Sequence, residues 1–344
     1  MLDRRLFTAA AALGAVCVGV PALRAQPRLE KTKVAIAVGG KAAFYYLPLT
    51  IAEQLGYFKA EGLEVEVADF SGGSRALQAV VGGSADVVSG AYEHTISLQG
   101  KNQWFQAFVL QGRAPQIAIG ISTRSMPDYK TVADLRGRKI GISAPGSSTN
   151  MAASLVLSRA GVKSGDVSFI GVGTAAGALA SLRSGQIDAM SNIDPVMTML
   201  EQKGDVRIIC DTRTLKGTQE VFGGPMPAGC LYAPLEFVQK NPNTCQAMAN
   251  AIVHALKWLQ TAGPADIIKT VPENYLLGDR ALYLASFNKV REAIALDGLI
   301  PEDGTHTALR ALASFEPTVR PEKIELAKTF TNEFSRHAKD KFKA

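Results

Sequence analysis

The sequence predicts an α/β fold made of two similar lobes joined by a two-segment hinge. Apolar segments typical of buried strands alternate with segments of helical periodicity, and this alternation is typical of sheets flanked by helices. A turn–helix–strand unit that begins near residue 72 is repeated near residue 174. Two extended segments, 111–122 and 218–231, have the pattern of crossings between the lobes.

The composition is that of an ordinary globular protein, and the chain is long enough for two compact units. The 344 residues are 47% hydrophobic and 20% charged, with a formal net charge of +6. This positive surplus is mild, and no arginine-rich run accompanies it. We therefore expect no nucleic-acid partner.

Residues 1–25 have the pattern of an export signal. Two arginines, Arg4 and Arg5, precede an apolar run from Ala9 to Val20, and small residues follow near Ala25. Arg-Arg-x-Phe resembles the twin-arginine signal, whereas an ordinary secretion signal has a similar basic start. The run is too short to span a membrane. We predict a periplasmic protein whose signal peptide is removed.

The elements of the first lobe can be taken in chain order. They are a strand at 33–38, a helical pattern at 49–58, a strand at 63–67, a turn at 71–74, a helix at 75–81 and a strand at 85–89. The strand at 63–67 is indicated by strict alternation of polar and apolar residues. The order of strands and helices implies a parallel sheet with helices on its faces.

An internal repeat supports the second lobe. When Asp86 is aligned with Asp188, residues 72–86 match residues 174–188 in type. Each copy has a turn, one short helix, a glycine stop and an aspartate that opens a strand. Glycine suits the left-handed end of a helix. Both copies stand in the same relation to a preceding strand, so we interpret them as one unit present in two lobes.

The rest of the chain completes the second lobe and then adds helices. The second lobe is predicted to contain a helical turn at 131–135 and strands at 138–143, 167–172, 187–192 and 206–210. Helical patterns follow at 242–260, 264–271, 280–296 and 322–343. We assign residues 33–112 and 228–344 to lobe I, and residues 113–227 to lobe II.

The predicted topology places five loops at one cleft. In open parallel sheets, ligands bind beyond the carboxyl ends of the strands. These ends are residues 39–46, 70–74, 89–92, 143–149 and 192–194. A hinged pair of lobes would therefore enclose a ligand among them.

The turn at 141–150 is the strongest candidate for a polar-group site. It separates a strand from a helix, and the first N–H groups of a helix have no intrahelical partner and carry partial positive charge. Gly146 lets the backbone approach a ligand, and Ser147, Ser148 and Thr149 add hydroxyls. The turn holds no lysine, so it is not a nucleotide P-loop. A plain helix cap explains the same residues without a ligand.

The other candidate site residues can also be explained by a structural role that involves no ligand. One ring of Tyr45 and Tyr46 is expected to line the pocket, because neighbouring residues seldom both reach a cleft. Asp194 would face the cleft and favour an amine or ring N–H, or it would cap the helix that begins at Pro195. Glu93 and His94 are a poor acid–base pair because neighbours on a helix point apart, and a satisfied histidine is the favoured interpretation.

Three segments carry a family resemblance: residues 46–67, 134–141 and 182–189. Together they resemble the periplasmic binding proteins for nitrate, sulfonates and taurine, a family that also includes binders of thiamine-pyrimidine precursors. The resemblance implies a type II periplasmic binding protein fold that serves an ABC importer. The cysteine cluster of the eukaryotic pyrimidine-synthesising relatives is missing, so their single-turnover chemistry is not implied. The scattered Cys210, Cys230 and Cys245 leave a disulfide open.

The predicted function is the extracytoplasmic binding component of an ABC importer for a small polar or anionic organic molecule, sulfonate-like or heterocyclic. The ligand-binding residues are predicted to be Tyr45, Tyr46, Gly73, Ser74, Gly90, Tyr92, Gly146, Ser147, Ser148, Thr149, Asn192 and Asp194. We expect no catalytic residue, metal or cofactor. The expected partners are the ligand, an inner-membrane permease and its ATPase, with the protein itself a monomer. An exported enzyme or a sensory binding protein on the same frame is the alternative.

Overall fold

The protein contains ten strands in two sheets, each flanked by helices. The computed structural model describes residues 28–344, and the predicted export signal lies outside the described residues. In chain order the strands are β1 (Lys33–Val38), β2 (Glu64–Asp69), β3 (Val87–Ala91), β4 (Phe105–Leu110), β5 (Ile117–Ser122), β6 (Lys139–Ile142), β7 (Ser168–Gly171), β8 (Ala189–Ile193), β9 (Val206–Asp211) and β10 (Gly229–Pro234).

Fourteen α-helices are present in the described part of the chain. They are α1 (Leu47–Gln54), α2 (Tyr57–Ala60), α3 (Gly73–Val81), α4 (Glu93–Gln99), α5 (Ser148–Arg159), α6 (Ala176–Arg183), α7 (Val196–Gln202), α8 (Leu215–Phe222), α9 (Leu235–Lys240), α10 (Pro242–Thr261), α11 (Pro264–Thr270), α12 (Arg280–Val290), α13 (Glu302–Ala313) and α14 (Glu333–Phe342). Between residues 28 and 344, no helix combines the length and the apolar character that crossing a membrane requires.

The two sheets have equivalent strand orders, β2-β1-β3-β10-β4 and β7-β6-β8-β5-β9. The predicted parallel pairing is confirmed for β1, which runs parallel to β2 and β3. Beyond that prediction, β10 runs antiparallel to β3 and β4, and β5 runs antiparallel to β8 and β9. The chain crosses from one sheet to the other before β5 and again before β10. Each of these two strands runs in the opposite direction to both of its neighbours in the sheet that it joins. The sheets are therefore mixed.

The internal repeat is confirmed in three dimensions. The carboxylate of Asp86 accepts a hydrogen bond from the Ala35 N–H at 2.9 Å, and that of Asp188 accepts one from the Lys139 N–H at 3.0 Å. The stop glycines match as well, since Gly83 has φ of 76° and Gly185 has φ of 79°. Each aspartate thus ties the start of its strand to the neighbouring parallel strand of its own sheet.

The C-terminal helices differ from the sequence prediction in extent. Helix α10 spans nearly the predicted range and packs against α1 and α14 in the core of the first sheet. The predicted helix at 322–343 is reduced to α14, because residues 321–328 form two 3-10 turns instead. Helix α13, which no pattern in the sequence predicts, contacts α5 and α8 across the gap between the sheets. We propose lobe boundaries at 33–112 plus 228–344 and 113–227, in keeping with this division into two sheets.

Candidate functional site

Two helix starts, one from each lobe, face each other across the gap between the sheets. Ser74 at the start of α3 donates a hydrogen bond from Oγ to the Pro145 carbonyl at 2.7 Å. A Cβ atom placed on Gly72 would lie only 2.7 Å from Cβ of Ala144. The lobes are therefore closed on each other at the turns that precede α3 and α5.

Each of the two facing turns leads into the start of a helix. The N–H groups of Gly73, Ser74, Ser148 and Thr149 open helices of 9 and 12 residues, so they have no intrahelical acceptor. The dipoles of both helices add partial positive charge there. Gly146 has φ of 78°, a left-handed conformation that suits glycine, and it turns the chain into α5. The arrangement can hold an acceptor group from two sides.

Aromatic side chains of lobe I form the wall behind α3. The Tyr45 and Tyr46 rings meet edge to face with centroids 4.9 Å apart, and both are buried. A Cβ on Gly73 would lie 3.6 Å from the Tyr46 hydroxyl and 3.4 Å from Cε1 of His94. Among residues 28–344, the buried Tyr45 hydroxyl has no hydrogen-bond partner. An unpartnered buried hydroxyl is costly, and a bound ligand would supply the missing bond.

His94 is a buried residue of this wall, and only one of its ring nitrogens has a hydrogen-bond partner in the part of the chain that the structure describes. Nδ1 lies 2.8 Å from the Tyr232 hydroxyl, whereas Nε2 faces the backbone of Gly146 without a hydrogen bond of normal geometry. The interpretation of His94 as a satisfied histidine is therefore only half right. Burial lowers the pKa of His94 to about 4, so the imidazole is neutral at neutral pH.

Glu93, beside His94, is a carboxyl group that shares a crevice with the first residue of α5. Its side chain is buried, and with Ser148 and Met151 it lines a narrow crevice between α4, α5 and α13. Burial raises the pKa of Glu93 to about 7, and its own backbone N–H is the group that opposes this shift. No ion pair among residues 28–344 includes Glu93.

Ser147 and Thr149 point into their own turn and not into the cleft. Ser147 Oγ lies 2.7 Å from Ser143 Oγ and donates to the Ala144 carbonyl at 2.6 Å. Thr149 Oγ1 accepts from the Ser143 N–H at 3.0 Å. Ser148 has no such role and lines the crevice, so it is the hydroxyl we retain in the proposed binding set.

We expect Ser148→Ala to weaken ligand binding by about 1 kcal/mol, because one hydrogen bond to the ligand is lost. Ser147→Ala is the matched control. It should leave Ser143 with one buried hydroxyl partner fewer and lower the free energy of unfolding by about 1–3 kcal/mol. Calorimetric titration and urea unfolding measure the two effects. If Ser147→Ala weakens ligand binding and Ser148→Ala does not, the ligand contacts Ser147 instead of Ser148.

Asp194 binds the first turn of α7, which is close to the capping role that the sequence leaves open, although the N-cap position itself is Pro195 and the helix begins at Val196. Its carboxylate accepts from the Thr198 N–H at 2.7 Å and from the Thr198 hydroxyl at 3.0 Å. It also lies 3.6 Å from the Arg213 guanidinium, and both side chains are fully buried. Because its oxygens have protein partners, we remove Asp194 from the proposed binding residues.

Three other predicted residues have structural roles. The Asn192 amide donates to the Gly173 carbonyl at 2.9 Å. The Tyr92 hydroxyl lies 2.6 Å from Thr329 Oγ1 inside lobe I. A Cβ on Gly90 would meet the Tyr232 ring at 3.0 Å, so Gly90 makes room for the tyrosine that holds His94. These contacts leave Tyr45, Tyr46, Gly73, Ser74, Gly146 and Ser148, together with Glu93 and His94, as the proposed site.

The cysteines and acidic groups give no sign of a metal centre. Cys210, Cys230 and Cys245 are free thiols, and burial raises the pKa of each. In residues 28–344, no three His, Cys, Asp or Glu side chains are grouped so that they could hold a metal ion.

Comparison with known proteins identifies the family of this two-lobed chain. A family model described as the NMT1-like family matches residues 28–271, which is more than half of the chain. The chain belongs to the NMT1-like family. The resemblance seen in the sequence is confirmed by this match and by solved structures of nitrate-binding and sulfonate-binding periplasmic proteins.

Three solved structures are similar to this NMT1-like protein. A protein from Bordetella bronchiseptica RB50 is 62% identical with a TM-score of 0.91, over 92% of this chain and 100% of that chain. The periplasmic nitrate-binding protein NrtA from Synechocystis PCC 6803 is 15% identical with a TM-score of 0.71, over 91% and 89%. The alkanesulfonate-binding protein SsuA from Xanthomonas axonopodis pv. citri, bound to MOPS, is 17% identical with a TM-score of 0.67, over 89% and 100%.

These similarities confirm the predicted fold class, two α/β lobes with the periplasmic binding protein fold. At 15% and 17% identity, NrtA and SsuA support the fold alone. Both are binding proteins by name, and so are the curated relatives of this NMT1-like protein.

Proposed function

We propose that this NMT1-like protein is the extracytoplasmic substrate-binding component of an ABC importer. It would bind a small polar organic molecule in the gap between its lobes and deliver it to an inner-membrane permease driven by an ATPase. The observation that carries the proposal is the pair of helix starts that meet across the gap, because they belong to different lobes and their first N–H groups have no intrahelical acceptor. Family membership supports the importer role.

The residues of the cleft indicate that ligand binding is coupled to closure of the two lobes. Tyr46 and His94 belong to lobe I, and Ser148 belongs to lobe II, so a ligand touches both sets only when the lobes are closed. A ligand that binds the closed form better shifts the population toward it. The permease would then recognise the closed form of the protein. We propose that the protein acts as a monomer in the periplasm, after removal of residues 1–25.

The charged groups among the proposed binding residues limit the class of ligand that the site would bind. The sequence pattern favours a sulfonate-like or heterocyclic molecule. No lysine or arginine is among the proposed binding residues, so only helix starts, hydroxyls and an imidazole face the ligand's acceptor group. A bare nitrate would meet no full positive charge there. We therefore favour an organic molecule that carries an acceptor group at one end.

A thermal-shift screen of sulfonates, nitrate, pyrimidines, flavins, aromatic carboxylates and amino acids tests the function. A true ligand at 100 times its Kd stabilises the folded state by about 2.7 kcal/mol, which raises the melting temperature by several degrees. We expect at least one organic class to do so. Mass spectrometry of that compound after incubation should return it unchanged. A chemically altered compound would support the enzyme alternative, and a screen without any shift would overturn the proposal.

A further inference from the structure

We propose that Lys289 and Glu201 form an electrostatic latch that holds the two lobes closed before a ligand binds. Lys289 lies on α12 of lobe I, and Glu201 lies on α7 of lobe II. Lys289 Nζ donates a hydrogen bond to Glu201 Oε2 at 2.6 Å, so the ion pair joins the lobes. The inference goes beyond the proposed function, because it depends on the two lobes and not on the ligand.

Helix α12 is fixed to lobe I by aromatic packing. The ring centroids of Tyr283 and Phe287, both on α12, lie 4.5 Å and 6.0 Å from that of Phe44, which follows β1. All three side chains are buried. Phe44 immediately precedes Tyr45 in the wall of the cleft. Lys289 is therefore part of the same packed body as the lobe I side of the proposed site.

The charges of lobe II explain why it attracts a lysine. The buried guanidinium of Arg213 is surrounded by three carboxylates of its own lobe, at 2.6, 3.0 and 3.6 Å, which are those of Asp211, Glu201 and Asp194. With these groups ionised, three negative charges surround one positive charge. Lys289 brings a second positive charge from lobe I, so closing the lobes lowers the electrostatic energy of the cluster.

A backbone hydrogen bond joins the same two parts of the lobes. The Phe44 N–H donates to the Asp194 carbonyl oxygen at 3.1 Å. The Asp194 carboxylate lies beside Arg213, which in turn contacts Glu201. The ion pair therefore secures the face of lobe II against which the loop that carries Tyr45 rests.

The exposure of the pair allows it to open and close reversibly. The side chains of Lys289 and Glu201 are 32% and 33% exposed, so water can solvate both charges when the lobes part. Separating a fully buried pair would leave an uncompensated charge. Partly exposed ion pairs change an equilibrium by about fivefold or less, and salt weakens them. The latch would thus favour closure without preventing the entry of a ligand.

The test measures lobe opening in the ligand-free protein with a thiol placed between the lobes. Thr174 of lobe II is only 7% exposed, and a Cβ on Gly40 of lobe I would overlap its hydroxyl oxygen. The thiol of Thr174→Cys is therefore shielded in the closed form and reacts with a maleimide when the lobes open. We expect Lys289→Met to raise the labelling rate of this thiol about three- to fivefold. Salt at about 1 M should raise the rate by a similar factor when Lys289 is present and barely affect Lys289→Met.

Two further variants separate the latch from a general loosening of the protein. Glu201→Gln should accelerate labelling as Lys289→Met does, and combining the two should add little, because both remove the same interaction. Lys240→Met is the matched control, since its ion pair with Glu236 lies within α9 and does not join the lobes. It should leave the labelling rate unchanged. The same proteins without Thr174→Cys measure the background from the native thiols.

Equal labelling rates of Thr174→Cys with and without Lys289→Met would overturn the latch. So would a Thr174→Cys rate as fast as that of Gly165→Cys, an exposed position on lobe II, because the free protein would then not be closed. Urea unfolding is measured alongside: nearly unchanged stability assigns a faster rate to lobe opening, whereas a large loss of stability assigns it to unfolding and contradicts the latch. No ligand is used, so failure of the ligand screen leaves this test unaffected.

Discussion

Gly72→Ala is expected to weaken ligand binding about 10- to 100-fold and to leave the unfolding of the free protein nearly unchanged. In the closed form the new methyl group would lie 2.7 Å from Cβ of Ala144 and 3.1 Å from its backbone nitrogen. Ala144 belongs to the other lobe, so the clash exists only when the lobes meet. Overpacking of this kind costs about 1–3 kcal/mol, and a factor of ten in affinity corresponds to 1.4 kcal/mol.

The backbone at Gly72 makes the test specific to closure. Its φ of 176° is extended, and any residue adopts that conformation, so alanine adds no backbone strain. Gly165→Ala is the matched control, because a Cβ there meets no atom within 4 Å. Adding Ala144→Gly to Gly72→Ala should restore part of the affinity. If Gly72→Ala binds as tightly as wild type, the lobes do not close on the ligand as described.

Arg213→Met is expected to destabilise the protein by about 3–5 kcal/mol, the usual cost of removing one partner of a buried ion pair. The Arg213 side chain is fully buried and lies 2.6 Å from Asp211, 3.0 Å from Glu201 and 3.6 Å from Asp194. These contacts raise the pKa of the guanidinium further. Without the guanidinium of Arg213, the fully buried carboxylate of Asp194 would keep only the hydrogen bonds from Thr198.

Lys289→Met is the control for this prediction. Lys289 on α12 lies 2.6 Å from Glu201 on α7, but both side chains are about one-third exposed. Solvent screening limits such a pair to about 1 kcal/mol or less. Urea unfolding of both variants measures the difference. Equal small effects would show that the Arg213 cluster contributes little to stability.

The sequence predicted the repeated units well because they depend on local patterns. The glycine stops at Gly83 and Gly185 and the aspartates at Asp86 and Asp188 recur in the structure with the same hydrogen bonds. Strands β4 and β10 were missed, since their pairing joins residues more than 100 positions apart. Periodicity over a short window carries no information on such a contact.

The sequence predicted only those parts of the site that depend on local patterns. The helix starts at α3 and α5 are local features, and the structure places them opposite each other. Which of three adjacent hydroxyls faces the cleft depends on side-chain packing, so Ser147 and Ser148 could not be distinguished. Glu93 was set aside as a catalytic residue, although it follows β3, a central strand whose carboxyl end faces the cleft. That position is the signal that could have identified it.

The most direct test of the central claim is a cross-link between the two helix starts in Ser74→Cys/Gly146→Cys. A Cβ on Gly146 would lie 3.8 Å from Cβ of Ser74, which is the usual separation across a disulfide. The positive φ at Gly146 costs a cysteine about 1–2 kcal/mol, so single Gly146→Cys serves as the control.

We expect the oxidised double variant to remain closed and to take up the ligand found in the screen far more slowly than wild type. Reduction of the disulfide should restore the wild-type rate, as measured by stopped-flow binding. A disulfide that forms readily but leaves the rate and the affinity of binding unchanged would contradict the claim that the ligand enters between these two helix starts.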